Sequence, residues 1–322
     1  MGQAEEVMRV SAPRARQPRV LAWLTEDSLN GMARREALLG YAFLLPTVLG
    51  ILIFTAGPVV VSLGLSLFDW NVFDAPTFIA LDNYQRLVTD GRVLTAFTNT
   101  AKMVGLAVVL ELLLALALAM GVQRLRRPAQ RYFFRTAYFL PLLTSAATIS
   151  IVMAYMFNGQ FGVINYYLGR VGVPRVPWLD SAQWVLISVV LVYVWHRLGF
   201  TFIVFSGGLG NLAKETLDAA DVDGATGWRR LWYITLPMLS PSILFAAVTA
   251  IISGLQIFDE PFVMVRGGPG DASRTVVMVI YESAFKNIEL GYAAAIAAIL
   301  FVVILLVTAI QFRISKALVF YQ

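Results

Sequence analysis

Six stretches of about twenty or more mostly apolar residues, joined by more polar connections, constrain this chain more than any other feature. They run near Ala37 to Leu67, Phe97 to Val122, Phe133 to Phe157, Trp184 to Gly207, Leu239 to Ile257 and Leu290 to Phe312. A helix needs roughly 20 apolar residues at about 1.5 Å each to cross about 30 Å of hydrocarbon. Lipid offers nothing to an unpaired backbone N–H or C=O, so a spanning segment must be a helix or a strand of a closed barrel. These runs are continuous rather than alternating, which excludes barrel strands. The expected fold is therefore all-α: a polytopic membrane protein with about six transmembrane helices.

Composition supports this reading, with 58% of the 322 residues hydrophobic and only 14% charged. Cysteine is absent, which removes a disulfide framework, thiolate metal sites and cysteine nucleophiles. The single histidine, His196, is no metal site by itself, so no metal is expected. The net charge of +5 sits mainly in the N-terminal tail and short loops, with no nucleic-acid recognition motif beside it, so no nucleic-acid partner is expected.

Arginine and lysine positions set the expected orientation. The connection after the second span holds Arg124, Arg126, Arg127, Arg131 and Arg135 without an acid among them, a positive-inside signal. Alternation from that loop puts both termini in the cytoplasm, together with the polar loop bearing Lys214, Arg229 and Arg230. Residues 1–36 carry Arg9, Arg14, Arg16 and Arg19 among prolines. Their apolar run VLAWL is too short for a signal peptide, so they read as a cytoplasmic tail ending in an interfacial segment. Residues 37–313 are expected to form one six-helix membrane domain and residues 314–322 a short cytoplasmic tail.

The loop 209–237 is polar, helix-compatible and wedged between two apolar spans. Glu215, Asp218 and Asp221 recur at i, i+3 and i+6 and make one acidic stripe. Ala219 and Ala220 leave little bulk beside it, and Gly224 supplies the freedom to end a helix. Trp228, Leu231 and Trp232 form an apolar face suited to the membrane underside. Pro237 is expected at the start of the fifth helix, and Pro241 at a kink.

The run LDAADVDGATGWRRLWYITLP from Leu217 to Pro237 resembles the signature of permease subunits of ATP-driven (ABC) importers. The matching positions are Asp218, Ala219, Ala220, Asp223, Gly224, Ala225, Ile234, Leu236 and Pro237. The resemblance implies that the loop forms a coupling helix that docks on a cytoplasmic ATPase subunit through Glu215, Asp218, Ala219, Ala220, Asp221 and Gly224. The chain departs from the pattern in having Asp218 where glutamate is usual, and Ala213 where a proline commonly precedes the helix. A second segment, GLQIFDEPFVMVRGGPG at 254–270, resembles carbohydrate-type importer permeases of the maltose and glycerol-phosphate group through Phe258, Asp259, Gly267, Gly268 and Pro269. Arg135 to Pro141 and Trp195 to Phe200 extend the likeness over most of the membrane region.

A phosphate-binding loop needs GxxxxGK followed by Ser or Thr, and Ala213 occupies the required glycine position in GGLGNLAKET. No nucleotide cofactor is therefore expected on this chain; ATP and Mg are assigned to separate ATPase subunits, two by family resemblance. The resemblance further implies a second, homologous permease chain, an extracytoplasmic solute-binding protein and residence in a bacterial cytoplasmic membrane. Catalytic residues are not expected: the spans show no paired carboxylates, Ser–Lys dyad or HExxH.

Charges inside spans point to a pathway, because hydrocarbon penalises them unless they face protein or water. Lys102 can snorkel, whereas Glu111 and Arg197 lie at similar depth in the second and fourth spans and are expected to form or border a polar contact in the bundle. Sugars are held by hydrogen-bonding groups with flat aromatic faces, which adds Tyr155, Tyr193, Trp195, Gln256, Phe258 and Asp259 to the candidate pathway. The expected function is a sugar-importer permease working by alternating access. A permease for an amino acid, glycerol phosphate or polyamine is the alternative, and a passive channel is the reading that the signature loop opposes.

Overall fold

The computed structural model describes residues 36–318. The interfacial segment expected before them and the last four residues of the tail lie outside the described residues. The chain separates into two compact units, Met1–Val61 and Ser62–Gln322. In the first, the described residues belong to helix α1 (Glu36–Leu65), whose side chains are almost all exposed. A π turn at Leu52–Ala56 closes with the Gly57 N–H on the Leu52 carbonyl, just before Pro58.

The second unit opens with a minimal hairpin, β1 (Phe68–Asp69) antiparallel to β2 (Thr77–Phe78). Then follow α2 (Asp82–Thr89), α3 (Gly91–Gln123), α4 (Pro128–Phe139), α5 (Ala146–Met156), α6 (Val163–Arg170) and α7 (Ala182–Gly210). After them come α8 (Lys214–Val222), α9 (Gly227–Leu255), α10 (Asp259–Val265), α11 (Val276–Tyr281) and α12 (Leu290–Leu318). Five of these helices, α1, α3, α7, α9 and α12, are long and apolar enough to cross a bilayer.

The third expected span is not one helix. A 3-10 turn at Leu140–Leu143 ends the first half, and the second half, α5, leaves at 98° to it. Pro141 lies in that turn, and Thr144 and Ser145 at the break are extended, with ψ of 146° and 133°. Apolarity alone concealed the break, because a proline without an N–H ends a helix as readily in a greasy run as in a polar one. Pro237 falls in the first turn of the regular α-helical stretch Leu236–Leu255, as expected, but the helix runs on into that stretch from before it. The proline sits inside α9, two residues after a π turn at Leu231–Thr235 that closes with the Leu236 N–H on the Leu231 carbonyl. The widened turn takes up the carbonyls that a proline ring would otherwise displace.

Helices α3 and α7 form the centre of the unit. Ala107, Glu111, Ala115 and Ala119 are buried on one face of α3 at four-residue spacing. Against the lower part of that face pack Phe202, Phe205 and Leu209 of α7, with Leu239 and Ala246 of α9. Small residues let membrane helices approach closely, which matters where lipid removes the usual hydrophobic drive for helix association. Glu111 therefore faces protein, not lipid.

Charged clusters tie down the end of the bundle that carries α2, α10 and α11. Asp90 caps α3 through the Arg92 N–H at 2.9 Å and accepts from Tyr292 Oη at 2.8 Å. Arg86 donates to Glu289 at 3.0 Å and lies 3.9 Å over the Tyr292 ring. Nearby, Glu282 is engaged by Arg274 and by Arg92 at 3.0 Å, while Asn99 donates to the Asp271 and Arg274 carbonyls. Burial pushes the Glu282 carboxyl up, but the Arg274 hydrogen bond and the surrounding positive charges outweigh it and hold the group below the ordinary glutamate range. A depressed pKa contributes stability above the unfolded value and loses it as pH falls through the folded value. Glu282→Gln is expected to lower stability by about 1–2 kcal/mol at neutral pH. The gap from wild type should close on acidification below the ordinary glutamate range, as read by thermal melts of the detergent-solubilised protein.

Candidate functional site

Two regions carry candidate function: a short polar helix at one end of the bundle and a buried polar seam in its middle. Helix α8 is built from good helix formers, with Glu215 in the first turn where the helix dipole favours an acid. Its end is a Schellman motif. Gly224 adopts a left-handed φ of +71°, the Ala225 N–H reaches back to the Ala220 carbonyl at 2.9 Å, and the Asp223 N–H bonds the Ala219 carbonyl at 3.0 Å. Gly227, with φ +57°, turns the chain again into α9. Glu215, Asp218, Ala219 and Gly224 are exposed, and Asp221 lies on the same helix. Ala220 is 4% exposed, so it seats α8 on the chain itself and offers no outer face.

The buried seam runs between α3, α7, α9 and α10. The Thr201 hydroxyl donates to Glu111 Oε1 at 2.5 Å, and Arg197, one turn away on α7, donates to Ser253 Oγ of α9 at 2.7 Å. Glu111 and Arg197 thus border one polar seam through two hydroxyl contacts, and among the described residues no direct hydrogen bond or ion pair joins them. Hydroxyls satisfy part of each charge while leaving the helices free of a rigid fork-to-fork bridge. The Arg197 guanidinium also lies 5.5 Å from the Tyr193 ring centre. Glu111 Oε2 and Tyr193 Oη are buried without a hydrogen-bond partner among the described residues. Beside Ser253, Gly254 lets Val104 of α3 come close: a Cβ there would sit 3.2 Å from its Cγ2.

His196 joins this seam to the break in the third span. Its Nε2–H donates to the Thr144 carbonyl at 3.1 Å, satisfying a backbone group that the break leaves without a helical partner. Its Nδ1 lies 3.7 Å from Glu260 Oε1 of α10, and both side chains are buried. Irregular backbone at membrane depth is tolerated where protein covers it, and the imidazole supplies that cover. Gly199, one turn further on, allows the Tyr138 carbonyl of α4 to approach where a Cβ would stand only 2.3 Å away. The segments Arg135–Pro141 and Trp195–Phe200, noted separately in the sequence, therefore pack on one another.

The remaining pathway candidates scatter. Tyr155 is exposed on α5, and Trp195 is exposed while its neighbour His196 is buried. Gln256 is exposed just after α9. Phe258 stacks on Phe262 at 4.8 Å and meets Tyr281 at 5.3 Å, within an aromatic ladder that continues to Phe285. Asp259 is exposed, and partial burial of its carboxyl followed by the Glu260 charge pushes its pKa up. Sequence reasoning missed Thr201, Ser253 and Glu260. A hydroxyl one turn from Arg197 was a readable signal for Thr201; nothing local marked Ser253 or Glu260, because their partners come from other helices. Among the described residues no cluster of histidine and carboxylate side chains could hold a metal ion.

Comparison with known proteins places this architecture. The chain is similar to the probable ABC transporter permease protein YesP of Bacillus subtilis, 33% identical over 90% of this chain and 94% of the relative. It is similar to the multiple sugar-binding transport system permease protein MsmF of Streptococcus mutans, 31% identical over 74% of this chain and 81% of that one. In fold it resembles a bacterial ABC transporter involved in import of the acidic polysaccharide alginate, with a TM-score of 0.78, 24% identity, and coverage of 90% of this chain and 99% of that chain. The profile of the binding-protein-dependent transport system inner membrane component matches residues 95–319, well over half of the length. A bent third span, a capped polar helix between the fourth and fifth spans and that match together make the chain a member of the family of binding-protein-dependent transport system inner membrane components.

Proposed function

We propose that this chain is the permease subunit of an ATP-driven importer that moves a sugar or sugar-like solute across the inner membrane by alternating access. Helix α8 carries the reading: it is a short, exposed, acidic helix with a glycine-terminated end, set between two spans where a partner's motion would be passed to both. ATP and Mg are bound by a separate ATPase, two copies per assembly, on which Glu215, Asp218, Ala219 and Gly224 dock. A second homologous permease completes the pathway, and an extracytoplasmic solute-binding protein delivers the solute. The basic loop Arg124–Arg135 and both termini face the cytoplasm, as the positive-inside rule directs. The likeness to a multiple sugar-binding system permease supports a carbohydrate over other solutes.

In this scheme Glu111, Tyr193 and Arg197 form the polar seam whose hydroxyl contacts exchange as α3, α7 and α9 move. A Glu111→Gln, Arg197→Gln double variant is expected to reduce uptake about ten-fold or more, because one lost charge-assisted contact at a moving seam is worth roughly 1.5–3 kcal/mol. Uptake at the wild-type rate would remove any essential role for the seam. The test of the function itself is ATPase activity of the co-purified assembly in lipid with its binding protein, across mono- and disaccharides, polyols and glycerol phosphodiesters. Stimulation by a saccharide fits the proposal; a stable complex stimulated only by another class would move the substrate, and absence of any ATPase complex would sink it.

A further inference from the structure

We propose that the end of the bundle bearing α8 holds a specific site for the phosphate of an anionic phospholipid. A cavity of about 440 Å³ lies there, walled by Met120, Gln123 and Arg124 of α3, Leu209 and Leu212 at the end of α7, and the Gly227–Thr235 face of α9. Arg124 stands on its wall and none of the lining residues is acidic, while Arg230, also on the wall, already has a partner of its own. The helix C-termini that frame it would oppose an anion, but their carbonyls are already engaged. Gln123 Nε2 donates to the Leu209 carbonyl at 3.0 Å, and Arg131 donates to the Leu125 and Gln123 carbonyls at 2.7 and 3.0 Å.

A second observation identifies the source of the phosphate as lipid. The α9 stripe next to the one lining the cavity carries Trp228 and Trp232, their rings 5.7 Å apart and 70% and 53% exposed, followed by Tyr233 at 79%. Exposed tryptophan and tyrosine at the end of a spanning helix sit at the headgroup level of a bilayer. The cavity therefore opens at the depth where phospholipid phosphates lie, with Leu231 and Met120 as apolar wall for the glycerol and upper chains. Basic pockets between spanning helices at the cytoplasmic side suit anionic headgroups. The site touches α9 just after α8, so its occupancy holds the segment through which the proposed ATPase motion would pass; this consequence rests on the docking role proposed above, whereas the lipid site does not.

The test uses the complete assembly, purified in mild detergent and examined by native mass spectrometry for retained phosphatidylglycerol or cardiolipin, then reconstituted in phosphatidylcholine discs with or without phosphatidylglycerol. Wild type should retain anionic lipid, and Arg124→Gln should lose it about ten-fold, as one charge-assisted contact to phosphate predicts. Arg126→Gln, which removes the same charge outside the cavity, should retain it. Arg124→Lys keeps the charge and separates a lost site from a lost fold: it should assemble and hold more lipid than Arg124→Gln. Equal loss in Arg126→Gln, or equal retention in all variants, overturns the site. Inorganic phosphate restoring wild-type ATPase activity in phosphatidylcholine discs would make the ligand a soluble phosphate and overturn the lipid assignment. Loss of the ATPase subunit with lipid retained would give the cavity to that partner instead. Lipid retention is read without any transported solute, so its failure stays distinct from failure of the importer proposal.

Discussion

Gly224→Val is expected to strip the ATPase subunits from the purified permease while leaving the spanning helices folded. Gly224 holds a left-handed φ of +71° at the end of α8, and a Cβ built there meets nothing within 4 Å. The cost within the isolated chain is therefore backbone strain, not collision, and a β-branched residue in this region forfeits about 1–2 kcal/mol or more. That is comparable to the whole stability of a nine-residue helix seated at the edge of a membrane domain. The Ala225 to Ala220 closing bond should open, and the exposed face of Glu215, Asp218 and Ala219 should lose its register. Asparagine tolerates the left-handed region, so Gly224→Asn separates two reasons for the effect. Co-purification retained with Asn but lost with Val would assign the glycine a backbone role; loss with both would mean the partner needs the bare surface. A Val variant that keeps an intact, fully coupled complex would remove the docking assignment. Subunit pull-down and uptake together read all three outcomes.

Gly199→Val is expected to be severely damaging to the packing of the spanning helices. Its Cβ would lie 2.3 Å from the Tyr138 carbonyl oxygen and 2.8 Å from the Phe139 Cα, both backbone atoms that cannot swing aside. Relief requires α4 to move off α7, which would disturb the Tyr138–Phe202 contact at 5.1 Å and pull on the bond from His196 to Thr144 at the break. Overpacking commonly costs about 1–3 kcal/mol, and a backbone-to-backbone obstruction belongs at or above the upper end. Loss of the monodisperse detergent-solubilised species, or a large fall in its thermal midpoint, is the expected readout. Gly105→Ala on α3 is the control, since a Cβ there meets nothing within 4 Å and should change little. Equal behaviour of the two variants would show that close approach at Gly199 is dispensable.

These two glycines differ in how legible they were. Gly224 stands after an acidic helical stripe and before an aromatic one, a local pattern that announces a helix end. Gly199 stands inside a long apolar run, where nothing local distinguishes it from Gly105. The same division holds for the charges. Glu111 and Arg197 were recognisable because lipid makes any charge conspicuous; of their partners, Thr201 was marked only by its place one turn from Arg197, and Ser253 by nothing local, since hydroxyls are cheap in helices and common in spans.

The amino-acid sequence by itself determined the helical fold, the number of apolar segments and the polar helix between the fourth and fifth, because lipid imposes length and apolarity on each segment independently. Hydropathy and turn chemistry are local quantities, and they read correctly one segment at a time. The tertiary structure decided the rest. It broke the third span at Thr144 and Ser145, extended α9 through a π turn ahead of Pro237, and turned Ala220 inward. It also gave Glu111 a hydroxyl partner in Thr201 and Arg197 one in Ser253, and left an open cavity beside Arg124. Each of these depends on which groups other helices bring within a few ångströms, and such contacts are fixed by packing between distant parts of the chain, which no local period encodes.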